Sequence, residues 1–467
     1  MSPDFLENLA ATVGQANLLT SHDDRVPFDT DWRGVLNGRS LGVVRPSSVE
    51  EVANIVRLCA ANSIGIVPQG GNTGMCGGAT PDSSAQQIVV SLTRIRAIRE
   101  LDTSSNCMTV EAGLSLAEAQ MAATGKGLMM PLSIASEGSA TIGGAISTNA
   151  GGVNVLRYGN MRDLTLGIEA VLADGTIWSD LKKLHKDNTG YDLKQLFIGG
   201  EGTLGIVTAA CIKLHHPPSS RLTFLAGIES VESALAGLDD IRGRFGNIVE
   251  SWELFSDVSA KLLMQNCGYE KLPVQASHPW YLLGELALHG DGDEDIWAER
   301  LVEMADRMRC DDIILATSQS QRESLWAIRE NISEAERTQG KGIKHDVSVP
   351  AGSIPELITS VLDGFEMRFA DCRINIFGHV GDGNLHINAI PRETGHHIKA
   401  DTAAAISELV YDASAALGGS FSAEHGIGSM KTAQMAKYKR APALNMMRQI
   451  KSAFDPMGIF NPGKMLP

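Results

Sequence analysis

Two hydrophobic periods, near 2 and near 3.6, alternate along this chain, and the switches between them mark its elements. Residues 1–40 read as a short amphipathic helix followed by a polar loop holding Asp29, Asp31 and Trp32. LGVVRP (41–46) is a strand. Ser47 and Glu50 then make a capping box before 49–62, where Val52, Ile55, Val56 and Cys59 share one helical face. Runs 64–71, 88–92 and 108–113 read as strands, and 115–128 as a helix. GIEAVLADGTIW (167–178) is strand, Asp-Gly turn and strand, a strong hairpin signal. GIVTAACIKL (205–214) closes this block, and HHPPSS (215–220) breaks it.

The order then changes. Residues 221–228, 232–245 and 247–255 read β-α-β, and 280–288, 293–308 and 312–317 repeat it. This is the split β-α-β-β-α-β pattern of a ferredoxin-like unit. A long helix (321–338), the strand KHDVSVP (344–350), another helix and the hairpin INIFGHVGDGNLHINAI (374–390) come next. The tail reads as helical and ends in DPMGIFNPGKMLP.

Composition narrows the classes. A length of 467 residues fits two or three domains, and a net charge of −15 argues against a general nucleic-acid surface. Seven scattered cysteines without CxxC spacing suggest reduced thiols in a cytosolic or matrix compartment. The start lacks signal-peptide character, and no apolar run approaches a membrane span, so the reading is a soluble intracellular protein.

Residues 131–163 concentrate the candidate chemistry. Gly138, Gly143, Gly144, Gly151, Gly152 and Gly159 alternate there with Ser136, Ser139, Thr141, Ser147, Thr148 and Asn149. Such stretches let backbone N–H groups approach an anion, most often phosphate. PQGGNTGMCGG (68–78) and IGGEGTLG (198–205) are two further glycine loops. Together they point to one large phosphate-bearing ligand. Gly200, Gly202 and Gly205 satisfy GxGxxG, but a β-branched strand follows where the dinucleotide fingerprint needs a helix, so that assignment is rejected.

A second constellation lies downstream. His379 and His386 flank a Gly-Asp-Gly-Asn turn, and Glu424 and His425 sit in SAEHGIG. Two histidines and one carboxylate suit a catalytic divalent ion, although each histidine could instead cap or pack locally. Arg329, Ser333 and Lys344 offer cations and a hydroxyl for a carboxylate substrate, with surface salt bridging as the alternative.

Together PQGGNTGMCGG, GSATIGGAISTNAGG, GHVGDGNLH, SAEHGIG and NPGK resemble the FAD-dependent D-2-hydroxyacid dehydrogenases of the vanillyl-alcohol-oxidase (PCMH-type) flavoproteins. That group includes D-lactate and D-2-hydroxyglutarate dehydrogenases. The resemblance covers nearly the whole chain. It implies an α+β fold: a PCMH-type FAD-binding domain of two α+β subdomains at 1–218, a ferredoxin-like substrate cap with a metal site at 219–425, and a helical C-terminal segment at 426–467 returning to the FAD domain.

Carried onto this chain, the resemblance gives FAD contacts to Gly70, Gly71, Asn72, Thr73, Gly74, Gly138, Ser139, Thr141, Ile142, Gly144, Thr148, Asn149, Gly151, Gly202, Ile206 and Asn461. The first loop has no histidine for covalent attachment, so FAD is expected to be non-covalent. His379, His386 and Glu424 would bind a divalent metal, with zinc the first candidate, and His425 would be the catalytic base. Arg329, Ser333, Lys344 and Asn388 would hold substrate carboxylates. The implied reaction oxidises a D-2-hydroxy acid, D-2-hydroxyglutarate first, with D-lactate and D-malate behind it. The acceptor would be an electron-transfer flavoprotein, a quinone or a cytochrome, and a homodimer is compatible. The expected location is the cytoplasm, or the mitochondrial matrix in a eukaryote. From other classes, a zinc hydrolase and a non-redox flavoprotein or nucleotide-binding scaffold compete with this reading.

Overall fold

The computed structural model describes residues 4–274, 277–289, 294–308, 310 and 312–467. Residues 1–3 and Asp293, at the starts of two helices expected from the sequence, lie outside these. The chain divides into two units. One holds 1–152, 159–217 and 424–467; the other holds 153–158 and 218–423.

The first unit contains two sheets. A four-stranded sheet runs in the order Leu18–Leu19, Gly42–Val44, Gln87–Ser91, Gly65–Gln69, its last three strands parallel. Val49–Asn62 supplies the crossover helix, burying Val52, Ile55, Val56 and Cys59 as its period demands. Its cap lies one residue later than expected. Ser48 accepts the Glu51 N–H, while Ser47 sits outside the helix and binds the Glu51 carboxylate. The second sheet is antiparallel, in the order Ile98–Asp102, Cys107–Glu111, Ile206–Lys213, Thr165–Val171, Ile177–Asp180. The strand Ile206–Lys213 follows the GxGxxG match directly, as the rejection of a Rossmann turn requires.

Several elements depart from the sequence expectation, among them the strands Leu18–Leu19 and Ile98–Asp102, which it did not place. His22–Asp29, expected as loop, is a helix capped by Ser21, whose hydroxyl accepts the Asp24 N–H. The stretch 131–163, expected as loop, carries the helix Ile142–Thr148 with Thr141 as its cap and left-handed Asn149 closing it. Its glycines concealed a seven-residue helix whose buried face is Ile142, Gly143, Ala145 and Ile146.

The second unit is one seven-stranded antiparallel sheet. Its order is Asp312–Leu315, Ser220–Ile228, Trp280–Leu288, Val249–Ser256, Cys372–His379, Asn384–Pro391, Asp346–Ser348. The first four strands take the 4-1-3-2 order of the ferredoxin-like pattern read from the sequence. Helices Val231–Phe245 and Glu294–Arg307 are its two crossovers. The single helix expected over 321–338 is two, Gln319–Glu330 and Ile332–Gln339, broken at Asn331. There the Asn331 amide turns out to the Tyr269 hydroxyl at 3.1 Å.

Candidate functional site

The first glycine loop leaves the strand Gly65–Gln69 with its donors unspent. Among the described residues, the backbone N–H groups of Gly70, Gly71, Asn72, Thr73 and Gly74 meet no protein acceptor. Consecutive free N–H groups of this kind form a concave anion site. The turn is fixed from outside: Asn72 has φ of 53° and its amide holds the Thr30 carbonyl at 2.8 Å.

The second loop contributes differently. Ser139 and Ala140 donate to the Ser136 carbonyl, Ile142 to Leu114 and Gly143 to Ala112, all at 2.8–2.9 Å. Gly144 N–H reaches the Thr141 hydroxyl at 3.3 Å, and Thr148 Oγ1 binds the Gly144 carbonyl. Its donors are therefore largely satisfied internally, and what it offers is space. A Cβ at Gly71 would collide with the Ser139 carbonyl, which shows how closely the two loops pack. At Gly74 and Gly138 a Cβ would meet nothing within 4 Å. Beside Gly138 lies an open groove of about 470 Å³, lined also by Thr93, Arg96, Gly113, Ser139 and Thr141.

Other expected cofactor residues surround these loops. Asn149 Oδ1 accepts the Arg162 N–H, Gly151 is buried, Gly202 has φ of 68°, and Ile206 opens its strand fully buried. Asn461 donates to the carbonyls of Gly78 and Glu201 at 2.8 Å, while its Oδ1 is buried without a partner among the described residues. An unspent N–H row, an orphaned buried acceptor and two open glycine faces fit a phosphate-bearing cofactor.

His425 is half-buried in the same unit. Gly426 and Gly428, at φ of 76° and 53°, make the turn expected after it. Sequence reasoning missed what holds that turn. The Glu201 carboxylate accepts the N–H groups of Ile427 and Gly428 at 2.7 and 2.6 Å. Burial pushes the Glu201 carboxyl above its ordinary range, against those two N–H groups and the nearby Lys431 and Lys464. The Cys76 carbonyl accepts from Ser429 and Met430 at 3.0 and 3.2 Å.

In the second unit, His379 ends the strand Cys372–His379 directly opposite Glu253 on Val249–Ser256. Its Nδ1 lies 2.5 Å from Glu253 Oε1. Glu253 is 1% exposed. Burial raises its proton affinity, but His379 and Arg329 outweigh that and hold it below the ordinary carboxylate range. His386, opposite Phe377 in the hairpin, packs against that ring at 5.0 Å between centroids, and its own ring lies 6.0 Å from that of His379.

Glu424 follows Ala423, whose N–H donates to the Asp346 carbonyl at 3.2 Å, and Asp346 pairs with His386 in register. Glu424 opens the returning segment of the first unit, where its Oε1 accepts the Gly152 N–H at 2.8 Å. A histidine whose Nδ1 faces a buried carboxylate presents Nε2 to an ion, the usual support for a metal ligand. The two histidines fit a divalent cation.

The expected substrate residues have distinct surroundings. Arg329 is 11% exposed on its side chain, donates from Nε to Glu253 Oε2 at 2.9 Å and lies over Phe377 at 4.9 Å. Its partner is a buried acid, not a surface one. Ser333 and Lys344 are exposed. Arg329 and Lys344 both act on buried Glu336, whose carboxyl burial nevertheless pushes up. Asn388 is buried, donates to both Glu336 oxygens at 3.1 and 2.9 Å, and accepts the His345 N–H. Its amide supports Glu336 and the strand beside it. Glu253 and Glu336 escaped the sequence reading, although a glutamate inside the apolar run WELF signals a buried acid that needs a cation.

Comparison with known proteins places the chain in a family. Residues 217–465 match the C-terminal domain of FAD linked oxidases, and 40–180 match an FAD binding domain. The mitochondrial D-2-hydroxyglutarate dehydrogenase of Bos taurus is 37% identical, with 100% of this chain and 84% of that protein covered. A D-2-hydroxyglutarate dehydrogenase of Xanthomonas citri pv. viticola is 33% identical over 100% and 97%. A putative mitochondrial D-lactate dehydrogenase of Schizosaccharomyces pombe is 34% identical over 95% and 85%. The fold is that of p-cresol methylhydroxylase with substrate bound (TM-score 0.78, 17% identity, 99% and 96% covered). Alkyldihydroxyacetonephosphate synthase follows at 0.75 and 18%, over 99% and 86%. The matching FAD domains and the dehydrogenase relatives make this chain an FAD-dependent oxidoreductase. This chain belongs to the FAD-linked oxidase family.

Proposed function

We propose that this enzyme oxidises a D-2-hydroxy acid to the 2-oxo acid, with D-2-hydroxyglutarate as preferred substrate, aided by a divalent cation and His425 as base. The observation that carries the reading is the His379–His386 imidazole pair, with Glu253 bonded both to His379 and to the half-buried Arg329. Support for the substrate comes from the relatives named above. FAD, bound without a covalent link, supplies the two-electron acceptor for the hydride leaving Cα. The cation, zinc first, supplies positive charge for the substrate's hydroxyl and carboxylate oxygens.

The protein's own tasks follow from its side chains. His379, His386 and Glu424 hold the cation. His425 takes the hydroxyl proton, a contribution of about 10²–10⁴-fold. Arg329 turns its Nη atoms, which make no protein hydrogen bond among the described residues, toward a carboxylate. Lys344 and Ser333 add a second cation and a hydroxyl for the distal carboxylate, which a dicarboxylate has and lactate lacks. Electrons then pass to an electron-transfer flavoprotein, a quinone or a cytochrome. D-lactate remains the second candidate because of the Schizosaccharomyces relative. Steady-state assays with an artificial electron acceptor and D-2-hydroxyglutarate, D-malate and D-lactate test the order: kcat/KM highest for D-lactate rejects the dicarboxylate preference.

A further inference from the structure

We infer that Glu253 is a positioning residue that couples the metal ligands to the substrate cation by serving both from one buried carboxylate. The inference rests on the metal reading above. Oε1 faces His379 Nδ1 at 2.5 Å, and Oε2 accepts the Arg329 Nε–H at 2.9 Å. The sheet itself dictates the first contact, because Glu253 and His379 are register partners on neighbouring strands. Arg329 then lies over Phe377, and Phe377 packs on His386. The two imidazoles and the guanidinium are thereby held as one body around a 1%-exposed acid.

Chemistry makes each leg specific. A carboxylate at Nδ1 requires the proton there, which leaves the Nε2 lone pair for a cation; the other tautomer would turn an N–H on it. The second oxygen fixes the guanidinium through Nε and so aims its Nη donors in one direction. A carboxylate can do both at once because it only accepts. A glutamine has one acceptor oxygen, and its –NH2, a donor only, cannot serve at the second position.

Glu253→Gln therefore makes His379 and Arg329 compete for one oxygen. Zinc affinity, measured on FAD-loaded protein by competition with a chromophoric chelator, should fall about 10–100-fold. In the zinc-free parent, ¹⁵N-histidine spectra should show His379 protonated at Nδ1, with a tautomer mixture in the variant. Adding Arg329→Met returns the single oxygen to His379, and zinc affinity should recover most of the loss. The double variant also leaves no buried cation unpaired, so it tests the idea even if the single variant folds poorly. Zinc affinity within twofold of the parent in Glu253→Gln would overturn the inference, as would a double variant no better than the single. A parent protein that binds no zinc rejects the metal reading itself, a result seen before any variant is made.

Discussion

Glu201 accepts the backbone N–H of Ile427 at 2.7 Å, joining the third glycine loop to the turn that carries His425. A second bond, from Gly428, completes a two-pronged cap. Glu201→Ala strands two N–H groups, one of them on buried Gly428, and leaving a buried donor unsatisfied costs about 1–3 kcal/mol. FAD content should persist while the rate of flavin reduction by substrate falls at least tenfold. A variant that reduces flavin at the parent rate would show that the turn holds itself.

The glycine loops separate into two kinds, and substitution should tell them apart. Gly71→Ala drives a Cβ into the Ser139 carbonyl and should lower the melting temperature of cofactor-free protein. Gly138→Val places its side chain in open space, so the cofactor-free protein should melt normally while the variant, as purified, holds less FAD. Equal melting losses for both variants would contradict the division. Acid precipitation of the parent should release all yellow colour as FAD, and colour retained in the pellet would mean a covalent link.

Lys464 is buried with its ammonium donating to the carbonyls of Gly77 and Thr80. Burial depresses it from 10.5 to about 8, only partly offset by Asp82 and Glu201. Between those values the unfolded chain binds a proton that the folded chain does not. Its contribution to stability therefore rises with pH from 8 to 10.5 and is lost as pH falls through 8. The stability difference between the parent and Lys464→Met should shift toward the parent by on the order of 2–3 kcal/mol across that range. A difference flat in pH would place the proton elsewhere.

How far the sequence carried varies with the physics. Periodicity located most strands of both units but missed Leu18–Leu19, only two residues long, and Ile98–Asp102, whose side chains are largely exposed, while the ferredoxin-like element order was legible. The cap at Ser48 slipped by one because two serines compete for it. The helix Ile142–Thr148 was hidden because glycines that look like loop also permit close helix packing. At the site, motif residues were legible, but Glu201 and Glu253 were not. Each acts by reaching a segment remote in sequence, Ile427 and His379, and no local spacing records such a bond. Even so, the glutamate within WELF was a visible signal.

Lys344 tests the proposed substrate choice. Lys344→Met removes a cation with no role in holding the metal. It should raise KM for D-2-hydroxyglutarate about 10- to 150-fold, the equivalent of roughly 1.5–3 kcal/mol for a charge-assisted hydrogen bond, and leave D-lactate nearly unaffected. An equal loss for both substrates would place Lys344 on the carboxylate that they share.

His425→Asn keeps the size and polarity of the side chain but removes the proposed base. Metal and FAD contents should stay normal while flavin reduction slows about 10²–10⁴-fold. Loss of metal in this variant would make His425 a ligand, and the proton would go to another group.

The most direct test is anaerobic titration of the purified yellow protein with single enantiomers, followed at the flavin absorption band. D-2-hydroxyglutarate should bleach the band stoichiometrically with formation of the 2-oxo acid, and L-2-hydroxyglutarate should leave it unchanged. A band that no D-2-hydroxy acid bleaches, or that the L-enantiomer bleaches equally well, would contradict the account.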